Sequence, residues 1–523
     1  MPEKRFFPGP QGTEAEVVVP MTDFSVIGAD DHRLPDAART VLKERAAALR
    51  TDLQRHGFAS GNKIASLMKL LLDESTPEDT RLMLYGGPTF RNTFRATLDI
   101  PTTPALTETN PQIPRTLFEM ISEQQLGGNA SNILRNELVL ARAGIGAKLH
   151  KVFTPRDPYL DPWMQPYLQD VGGAFEFHEL QNLSSRYGAG IPFDDERGRE
   201  QRFSLNTPQD PTVEPMRQHV SDGRLKDCDF VVVSEGIGEL LKGYDARVTQ
   251  VFNPTSALHN ESALEALKRF REGRGADMVF INDKEADQWL RIMENRMEMG
   301  PFKDLPEAKY PSPFQKSSQG VSIDVNAIEL INGNHRRWLN MLPPPETEYI
   351  TCHSSVGCGP DGGQYLLQSQ GKYYIACANT PTEEGARALI ASLGPTARVR
   401  ADISDVIGAG DAALTASILC NLYTPLEDIF KQKDPSLSPQ KLKIATAAFH
   451  SFLGRIFGEF VYHSETRDLS GVPPEAMPHL LDTVLDKAIA AAQHITTVTK
   501  RAPQRIYTDP DWKMHFTMWE LER

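Results

Sequence analysis

The chain lacks the features of a secreted, zinc-binding or membrane-spanning protein. Its 523 residues include 5 cysteines, an odd number, and neither a CxxC pair nor an HExxH motif, so we expect reduced thiols without a disulfide framework or a zinc site. No apolar run approaches the roughly 18–20 residues that cross a bilayer. The N-terminus is broken by proline and glycine and does not resemble a secretory signal. These absences predict a cytoplasmic protein with no membrane partner.

The chain also lacks an excess of basic residues. It carries 56 Lys and Arg against 69 Asp and Glu, for a net charge of -13. Because an acidic chain repels phosphate backbones at long range, we expect no nucleic-acid partner, although a local pocket for one small anion is compatible with this charge. Hydrophobic residues make up 40% and charged residues 24%, which is ordinary for a globular protein and excludes wholesale disorder.

Short apolar runs that alternate with amphipathic helices predict a doubly wound α/β sheet. Residues 229–234 form a run rich in valine, which is typical of a strand buried on both faces of a parallel sheet. Two segments, 187–193 and 201–205, flank a polar turn and predict a β-hairpin. Further strands are predicted at 82–85, 148–153, 248–252, 278–281, 349–352 and 363–367, and further helices at 35–73, 132–143, 261–270, 442–457 and 480–495.

The most informative motif is Gly408-Ala409-Gly410-Asp411, which stands before an apolar helix. Small residues let a ligand approach the backbone, and the unpaired N–H groups of a first helical turn attract an anion such as a phosphoryl group. A neighbouring carboxylate can accept a proton from an attacking hydroxyl. The alternative is an ordinary helix N-terminus with an aspartate placed favourably for the helix dipole, and the motif alone does not separate the two.

Two further motifs are weaker. Asn282 and Glu285 follow the predicted strand 278–281; such a pair can hold water around Mg²⁺, but the spacing alone favours a helix capping box. Gly127 and Gly128 stand before a predicted helix that contains Asn132. Paired glycines bring backbone amides close to a small polar ligand, whereas an ordinary loop-to-helix turn is the simpler explanation.

In this order and spacing, the three motifs resemble those of the ribokinase-like (PfkB-type) carbohydrate kinase family, over roughly residues 80–460. Asn253-Pro254 after a strand and the glycine turn 359–363 add to the resemblance. It implies a three-layer α/β fold with a mostly parallel central sheet, helices on both faces and a small β lid. It also implies an ATP- and Mg²⁺-dependent phosphotransferase that acts on a hydroxyl of a sugar or sugar-like small molecule. Lid strands pair between subunits in some members, so a homodimer is compatible with it.

The resemblance also implies a role for individual residues. Asp411 would be the general base, and the amides of the preceding motif would form the anion hole. The acceptor, the nucleotide and the metal would each have separate contacts. The catalytic group comprises Gly408, Ala409, Gly410 and Asp411; the substrate group Gly127, Gly128, Asn132 and Asn92; the nucleotide group Asn282, Gly359 and Gly362; and the metal residue is Glu285.

Four other side chains attract attention by position. Arg91, Arg95 and Arg135 lie near the acceptor motif in sequence, where arginine can bind a phosphorylated or acidic group with two hydrogen bonds; solvated surface groups are the commoner case. His450 lies on a predicted apolar helix whose counterpart in the family borders the adenine. A satisfied core or surface histidine is the simpler interpretation.

The chain departs from the family pattern at Asn92, where an aspartate is usual, and at Ile407, ahead of the glycine motif. Two alternatives therefore stand beside the ATP-dependent kinase: an ADP-dependent sugar kinase of the same fold, and a catalytically silent kinase-like scaffold or regulator. The predicted domains are a helical extension over 1–80, a kinase domain over 81–500 with lid strands near 88–126 and 186–206 and an insertion at 300–345, and a tail over 501–523.

Overall fold

A computed structural model of the chain describes a subset of its residues. They are 11–18, 23–25, 125–127, 129–145, 147–155, 175–180, 186–194, 200–206, 230–234, 249–253, 278–281, 311–318, 320–339, 350–353, 363–369, 371–379, 382–393, 409–420, 426–463 and 468–522.

The described residues form strands and helices in the following chain order. The strands are β1 (Gln11–Val18), β2 (Asp23–Ser25), β3 (Gln125–Gly127), β4 (Ala147–Pro155), β5 (Phe175–Leu180), β6 (Arg186–Asp194), β7 (Glu200–Asn206), β8 (Phe230–Ser234), β9 (Thr249–Asn253), β10 (Met278–Ile281), β11 (Phe314–Ser317), β12 (Gly320–Ile323), β13 (Ile350–His353), β14 (Gly363–Ser369), β15 (Lys372–Ala378), β16 (Tyr507–Thr508) and β17 (His515–Leu521). The helices are α1 (Asn129–Arg142), α2 (Val325–Leu339), α3 (Glu383–Ser392), α4 (Ala409–Ile418), α5 (Leu426–Lys433), α6 (Pro439–His463) and α7 (Met477–His494), with a 3₁₀ turn at Leu469–Gly471.

One large sheet dominates the described structure. Its eleven strands run in the order β16-β17-β15-β14-β13-β10-β9-β8-β1-β4-β5. The strands from β13 to β5 are parallel neighbours, and those from β13 to β16 are antiparallel. Six of the ten strand pairs are therefore parallel. The prediction of an α/β fold is confirmed.

The parallel strands end together at one edge of this sheet. Ser234 at the end of β8 pairs with Asn253 at the end of β9, and Ile281 at the end of β10 pairs with His353 at the end of β13. In open α/β sheets ligands bind beyond the carboxyl ends of the strands. This edge is therefore where a ligand is expected.

Neighbouring residues of β14 show that helices cover both faces of the sheet at this strand. The side chain of Gln364 lies 3.3 Å (Oε1) from Nε2 of His335 on α2. The ring of Tyr365 lies 4.4 Å, between centroids, from the ring of His450 on α6. Because consecutive side chains of a strand point to opposite faces, α2 and α6 lie on opposite faces. The layers here are helix, sheet and helix.

Two smaller sheets accompany the large one. The first has the strand order β3-β2-β6-β7, and the second is the hairpin β11-β12. Strands β6 and β7 are antiparallel, with Gly188 opposite Asn206 and Asp194 opposite Glu200. They form the hairpin that the sequence predicts at 187–193 and 201–205. Since a single residue separates the end of β3 from the start of α1, the four-stranded sheet adjoins the helix that carries Asn132.

The N-terminal segment differs from its prediction. We expected a helical extension over 1–80 and a first strand at 82–85, but β1 already lies at Gln11–Val18, between β4 and β8 in the large sheet. The alternation of Glu14, Ala15, Glu16 and Val17 is a strand pattern that the neighbouring prolines and glycines obscure. The predicted helices over 35–73 and the strand at 82–85 lie outside the described residues.

The C-terminal segment and the insertion also differ from prediction. Residues 501–523 are not merely a tail, because β17 lies between β15 and β16 and is almost entirely buried. The range 300–345 was expected to hold little structure apart from a strand or helix at 325–331; the 15-residue helix α2 covers that stretch, and the hairpin β11-β12 was not predicted. The side chain of Asp324 accepts a hydrogen bond from the backbone N–H of Ala327 at 3.1 Å, so this helix has a cap that the sequence reading missed.

A cluster of apolar helices forms the core beside the sheet. Helix α4 packs against α1 and α6, and α6 packs against α7 and the strands β14 and β15. On α6 the side chains of Phe449, Phe452 and Leu453 are fully buried. Of the helices that the structure describes, none is long and apolar enough to cross a membrane.

Candidate active site

Helix α1 carries the polar half of the candidate site. It begins at Asn129, after Gly127 ends β3, and Gly144 follows its C-terminus with a φ of +73°, a conformation that favours glycine and closes a helix. Its side chains Asn132, Arg135, Asn136 and Glu137 are polar and all at most 4% exposed. Burying a polar group costs free energy unless it is hydrogen-bonded or paired, so the partners of these side chains indicate their role.

Helix α4 carries the candidate base. It runs from Ala409 to Ile418, and apart from Gly410 every one of its residues is buried. Asp411 is its only charged residue and stands in the first turn. The N–H groups of such a turn have no partner inside the helix. This end of α4 therefore offers backbone donors beside a carboxylate.

The two helices meet at Asn132 and Asp411. Nδ2 of Asn132 donates a hydrogen bond to Oδ2 of Asp411 at 2.6 Å, across 279 residues of sequence. Both side chains are buried, with exposed fractions of 4% and 6%. The structure thus brings together one residue of the predicted acceptor motif and the predicted general base.

Arg135 and Asp468 extend this contact. Nη2 of Arg135 lies 2.5 Å from Oδ1 of Asn132, and its Nε lies 3.0 Å from Oδ2 of Asp468. Asp468 in turn accepts a hydrogen bond from the backbone N–H of Ser470 at 2.8 Å, which caps the 3₁₀ turn. Asp411, Asn132, Arg135 and Asp468 therefore form one buried chain of polar contacts.

Gly410 leaves space beside the candidate base. Its backbone is outside the left-handed region, and a Cβ added there would meet no heavy atom of the described residues within 4 Å. Neither the backbone conformation nor the packing of the described residues therefore requires glycine at this position. A space of this kind at the start of a helix is where an anion would meet the backbone N–H groups.

Of the four side chains singled out by their position in the sequence, Arg135 and His450 are described, and both are buried. Arg135 is neither a solvated surface group nor directed at an acidic acceptor, because its guanidinium is buried against Asp468 and Asn132. His450 is a core histidine, as the simpler interpretation held: Nε2 shares a 2.6 Å hydrogen bond with the Ser417 hydroxyl. Burial lowers the pKa of His450 to about 3, so the ring is neutral at pH 7. Arg91 and Arg95 lie outside the described residues.

Several predicted site residues have no described position. Gly127, Asn132, Ala409, Gly410 and Asp411 are placed as stated above. The others lie outside the described residues: Gly128, Asn92, Asn282, Glu285, Gly359, Gly362 and Gly408. Within the part of the chain that is described, no group of three or more His, Cys, Asp or Glu side chains is arranged to hold a metal ion.

Asp468 is the site residue that sequence reasoning missed. It follows the long helix α6 after a short connection, in the sequence Asp468-Leu469-Ser470. An Asp two residues before a Ser is a common local turn signal, and it indicates the cap of the 3₁₀ turn. Nothing in that pattern indicates a contact with Arg135, 333 positions earlier in the chain.

Comparison with known proteins finds neither a matching family model nor a matching curated protein. Among solved structures, the chain is similar to ribokinase from Giardia lamblia, at 11% identity and a TM-score of 0.38, over 69% of this chain and 90% of that one. It is also similar to fructokinase from Xylella fastidiosa with bound ATP, at 13% identity and a TM-score of 0.36, over 69% and 92%. Ribokinase from Thermotoga maritima matches at 12% identity and a TM-score of 0.35, over 72% and 93%.

These similar structures are all sugar kinases. The contacts of Asp411 and the helix turn that carries it are the observations of this structure that bear on function.

Proposed function

We propose that the chain is an ATP- and Mg²⁺-dependent phosphotransferase that phosphorylates a hydroxyl of a sugar or sugar-like small molecule, with Asp411 as the general base. The observation that carries the proposal is the position of Asp411. Its carboxylate is 6% exposed, stands in the first turn of α4 and accepts a hydrogen bond from Asn132. A buried carboxylate beside the backbone N–H groups of a first helical turn suits a reaction in which a proton leaves as an anion arrives.

The proposed reaction transfers the γ-phosphoryl group of ATP to the acceptor hydroxyl. The acceptor hydroxyl oxygen forms a bond to the γ-phosphorus, the bond between that phosphorus and the bridging oxygen breaks, and the nucleoside diphosphate leaves. The hydroxyl proton moves to Asp411. Phosphoryl transfer asks the protein mainly for positioning and charge stabilisation. The amides at Gly408, Ala409 and Gly410 would stabilise the charge on the transferred group.

The remaining contacts are proposed from the family resemblance. Gly127, Gly128, Asn132 and Asn92 would bind the acceptor, with Asn132 shared between the acceptor and Asp411. Asn282, Gly359 and Gly362 would bind the nucleotide. The proposed set agrees with the topology, because β10 ends at Ile281 on the edge of the sheet where the parallel strands finish.

Glu285, with Asn282, would hold the magnesium ion. A carboxylate and an amide are hard oxygen donors of the kind that Mg²⁺ accepts. When bound, the ion neutralises charge on the donor phosphates. The chain's own contribution to the chemistry is the base and the backbone donors of α4.

The four-stranded sheet is proposed as a lid over the acceptor. Its strand β3 leads almost directly into α1, the helix of Asn132, so movement of the sheet would open or cover that end of the helix. A homodimer through these strands is part of the proposal. Sedimentation velocity, with and without an acceptor, measures the assembly.

The proposal is tested with a panel of sugars and nucleosides, and consumption of ATP and of ADP as donors is read separately. We expect one acceptor class to support turnover with ATP and Mg²⁺. Turnover with ADP but not with ATP would show that ADP is the phosphoryl donor, and the assignment of Asp411 as the base would be unaffected. Absence of Mg-ATP binding in calorimetry, together with no turnover, would favour the scaffold.

The base assignment is tested with Asp411→Asn. We expect kcat to fall about 10²- to 10⁴-fold while nucleotide binding persists. Asp428→Asn is the matched control, since Asp428 also stands in the first turn of a helix but is exposed. If Asp411 only stabilised the helix through its dipole, Asp411→Asn and Asp428→Asn would both keep most of their activity, and the two proteins would differ only in stability.

A further inference from the structure

The polar face of α1 is tied to the turn after α6 by two separate contacts. Arg135 pairs with Asp468 through Nε and Oδ2 at 3.0 Å, and Oδ1 of Asn136 accepts a hydrogen bond from the backbone N–H of Leu469 at 2.9 Å. The side chains of Arg135, Asn136 and Asp468 are all at most 4% exposed. A buried ion pair is weak evidence for stability, because desolvation offsets much of its attraction. Its position next to Asn132 calls for another explanation.

Arg135 connects that turn to Asn132. The two residues are three apart on one helix, a spacing at which side chains are neighbours on the same face. The guanidinium is planar and carries its donors in a fixed arrangement. The ion pair with Asp468 keeps the guanidinium near the 3₁₀ turn, although Nε finds no well-aligned hydrogen-bond acceptor among the described residues. From this position Nη2 points to Oδ1 of Asn132.

This contact determines which way the Asn132 amide faces. Arginine has only donors, and an ionised carboxylate has only acceptors. The amide oxygen must therefore face Arg135 and the amide nitrogen must face Asp411. A rotation of the amide by half a turn would set donor against donor at Arg135 and acceptor against acceptor at Asp411. Arg135 thus holds Asn132 in the one orientation that donates to Asp411.

We propose that Arg135 and Asp468 are positioning residues, which help to orient the Asp411 carboxylate through the side-chain amide of Asn132. The inference rests on the proposed role of Asp411 as the base. A misplacement of about 1 Å at a reacting group can cost about 100-fold in rate. The effect of losing Arg135 should therefore appear in kcat.

The first experiment compares Arg135→Met with Arg135→Lys in the full chain. We expect Arg135→Met to lower kcat by up to about 100-fold, with KM for nucleotide within a factor of about three. Arg135→Lys keeps a donor and the charge but loses the planar fork, so it should recover part of the loss. Asp468→Asn should lower kcat in the same direction and serves as the second variant if Arg135→Met does not fold.

The matched control is another buried cation on a helix. Nζ of Lys487 on α7 lies 2.7 Å from Oδ2 of Asp509, and Lys487 is 8% exposed. Lys487→Met removes a buried charge in the same way but touches none of the four residues of the polar chain. We expect it to lower stability and leave kcat unchanged. Equal loss of kcat in Lys487→Met and Arg135→Met would overturn the proposal, because destabilisation would then explain both.

A double-mutant cycle tests whether Arg135 acts through Asn132. If it does, Arg135→Met should change kcat less than about twofold in a protein that already carries Asn132→Ala, since coupled residues give non-additive effects. Additive losses in the two variants would show that Arg135 acts by another route, and the proposal would be wrong.

A measurement without turnover separates this inference from the proposed function. The side-chain amide protons of Asn132 can be followed by ¹⁵N-edited NMR and assigned from their disappearance in Asn132→Ala. We expect a slowly exchanging pair in the wild-type chain that is lost in Arg135→Met and kept in Lys487→Met. If wild-type protein shows no phosphotransfer, the role of Asp411 fails; if the pair survives in Arg135→Met, the positioning by Arg135 fails.

Discussion

Replacing Gly410 with alanine should separate the stability of the protein from its activity. Gly410 is the second residue of α4, and a Cβ there meets no heavy atom of the described part of the chain within 4 Å. Cα–Cβ bonds in a helix tilt toward its N-terminus. The added methyl group would therefore project into the space where we propose that the transferred phosphoryl group sits.

The expected effect on folding is favourable. Alanine in a helix is more stable than glycine by about 0.5–1 kcal/mol, because glycine loses more backbone freedom. In a chain of this size that corresponds to a rise in melting temperature of roughly 0.5–1 °C. Among the described residues, no atom lies close enough to the added methyl group to offset this gain.

The expected effect on catalysis is unfavourable. A methyl group beside the first-turn amides would displace the phosphoryl group from its donors. Loss of one such donor costs about 10²- to 10³-fold in kcat, and we expect a loss of up to that size. A gain in stability together with a loss of kcat would indicate that the methyl group displaces a reacting group, because general damage to the fold would lower both.

The assay pairs thermal melting with steady-state kinetics for Gly410→Ala and for Gly333→Ala. Gly333 is also a helical glycine, on α2, and a Cβ there likewise meets no heavy atom within 4 Å. The control should gain similar stability and keep full activity. Wild-type kcat in a stabilised Gly410→Ala protein would refute the placement of the phosphoryl group.

Two further predictions concern stability alone. Gly385→Ala should destabilise the protein strongly, since a Cβ there would lie 1.8 Å from the backbone oxygen of Trp512; unchanged melting would contradict this close approach. Burial lowers the pKa of His335 to about 4, against 6.5 ordinarily, and outweighs the hydrogen bond with Gln364, which raises it. The unfolded chain therefore binds more protons between these pH values, so stability should fall as the pH drops from 6.5 toward 4. His335→Gln should reduce that slope by at most about 1.4 kcal/mol per pH unit in denaturant titrations, and an unchanged slope would rule out the buried neutral imidazole as its source.

Local patterns predicted most of the parallel strands of the large sheet, with β1 and β5 as the exceptions. The valine-rich run at β8 and the apolar run at β10 coincide with strands of the structure, because a strand buried on both faces has few polar residues. The hairpin β6–β7 was equally visible from its turn. These elements are determined mainly by residues close together in the chain.

Elements that depend on distant partners were missed. Strand β1 pairs with Ala147 and its neighbours in β4 and with β8, more than a hundred residues away, and its own residues carry only a short alternating pattern. Strand β17 pairs with β15 in the same way. Such pairing is set by the whole fold, which no local window contains.

The candidate site was also predicted only in part, because local motifs were visible in the sequence and a contact between distant residues was not. The glycine motif with Asp411 and the helix with Asn132 were identified as separate motifs, and their 2.6 Å contact agrees with the proposed roles. The pairing of Arg135 with Asp468 was not predicted, because either residue alone is compatible with an exposed charge. Burial of both, which a sequence pattern does not supply, gives the pair its significance.

The most direct test of the central claim is the rate of a single turnover in wild-type and Asp411→Asn proteins, measured by rapid quench with enzyme in excess over labelled ATP. This rate reports phosphoryl transfer separately from product release. We predict that the chemical step slows by about 10²- to 10⁴-fold in the variant while its nucleotide dissociation constant is unchanged. Equal single-turnover rates in the two proteins would contradict the assignment of Asp411 as the base.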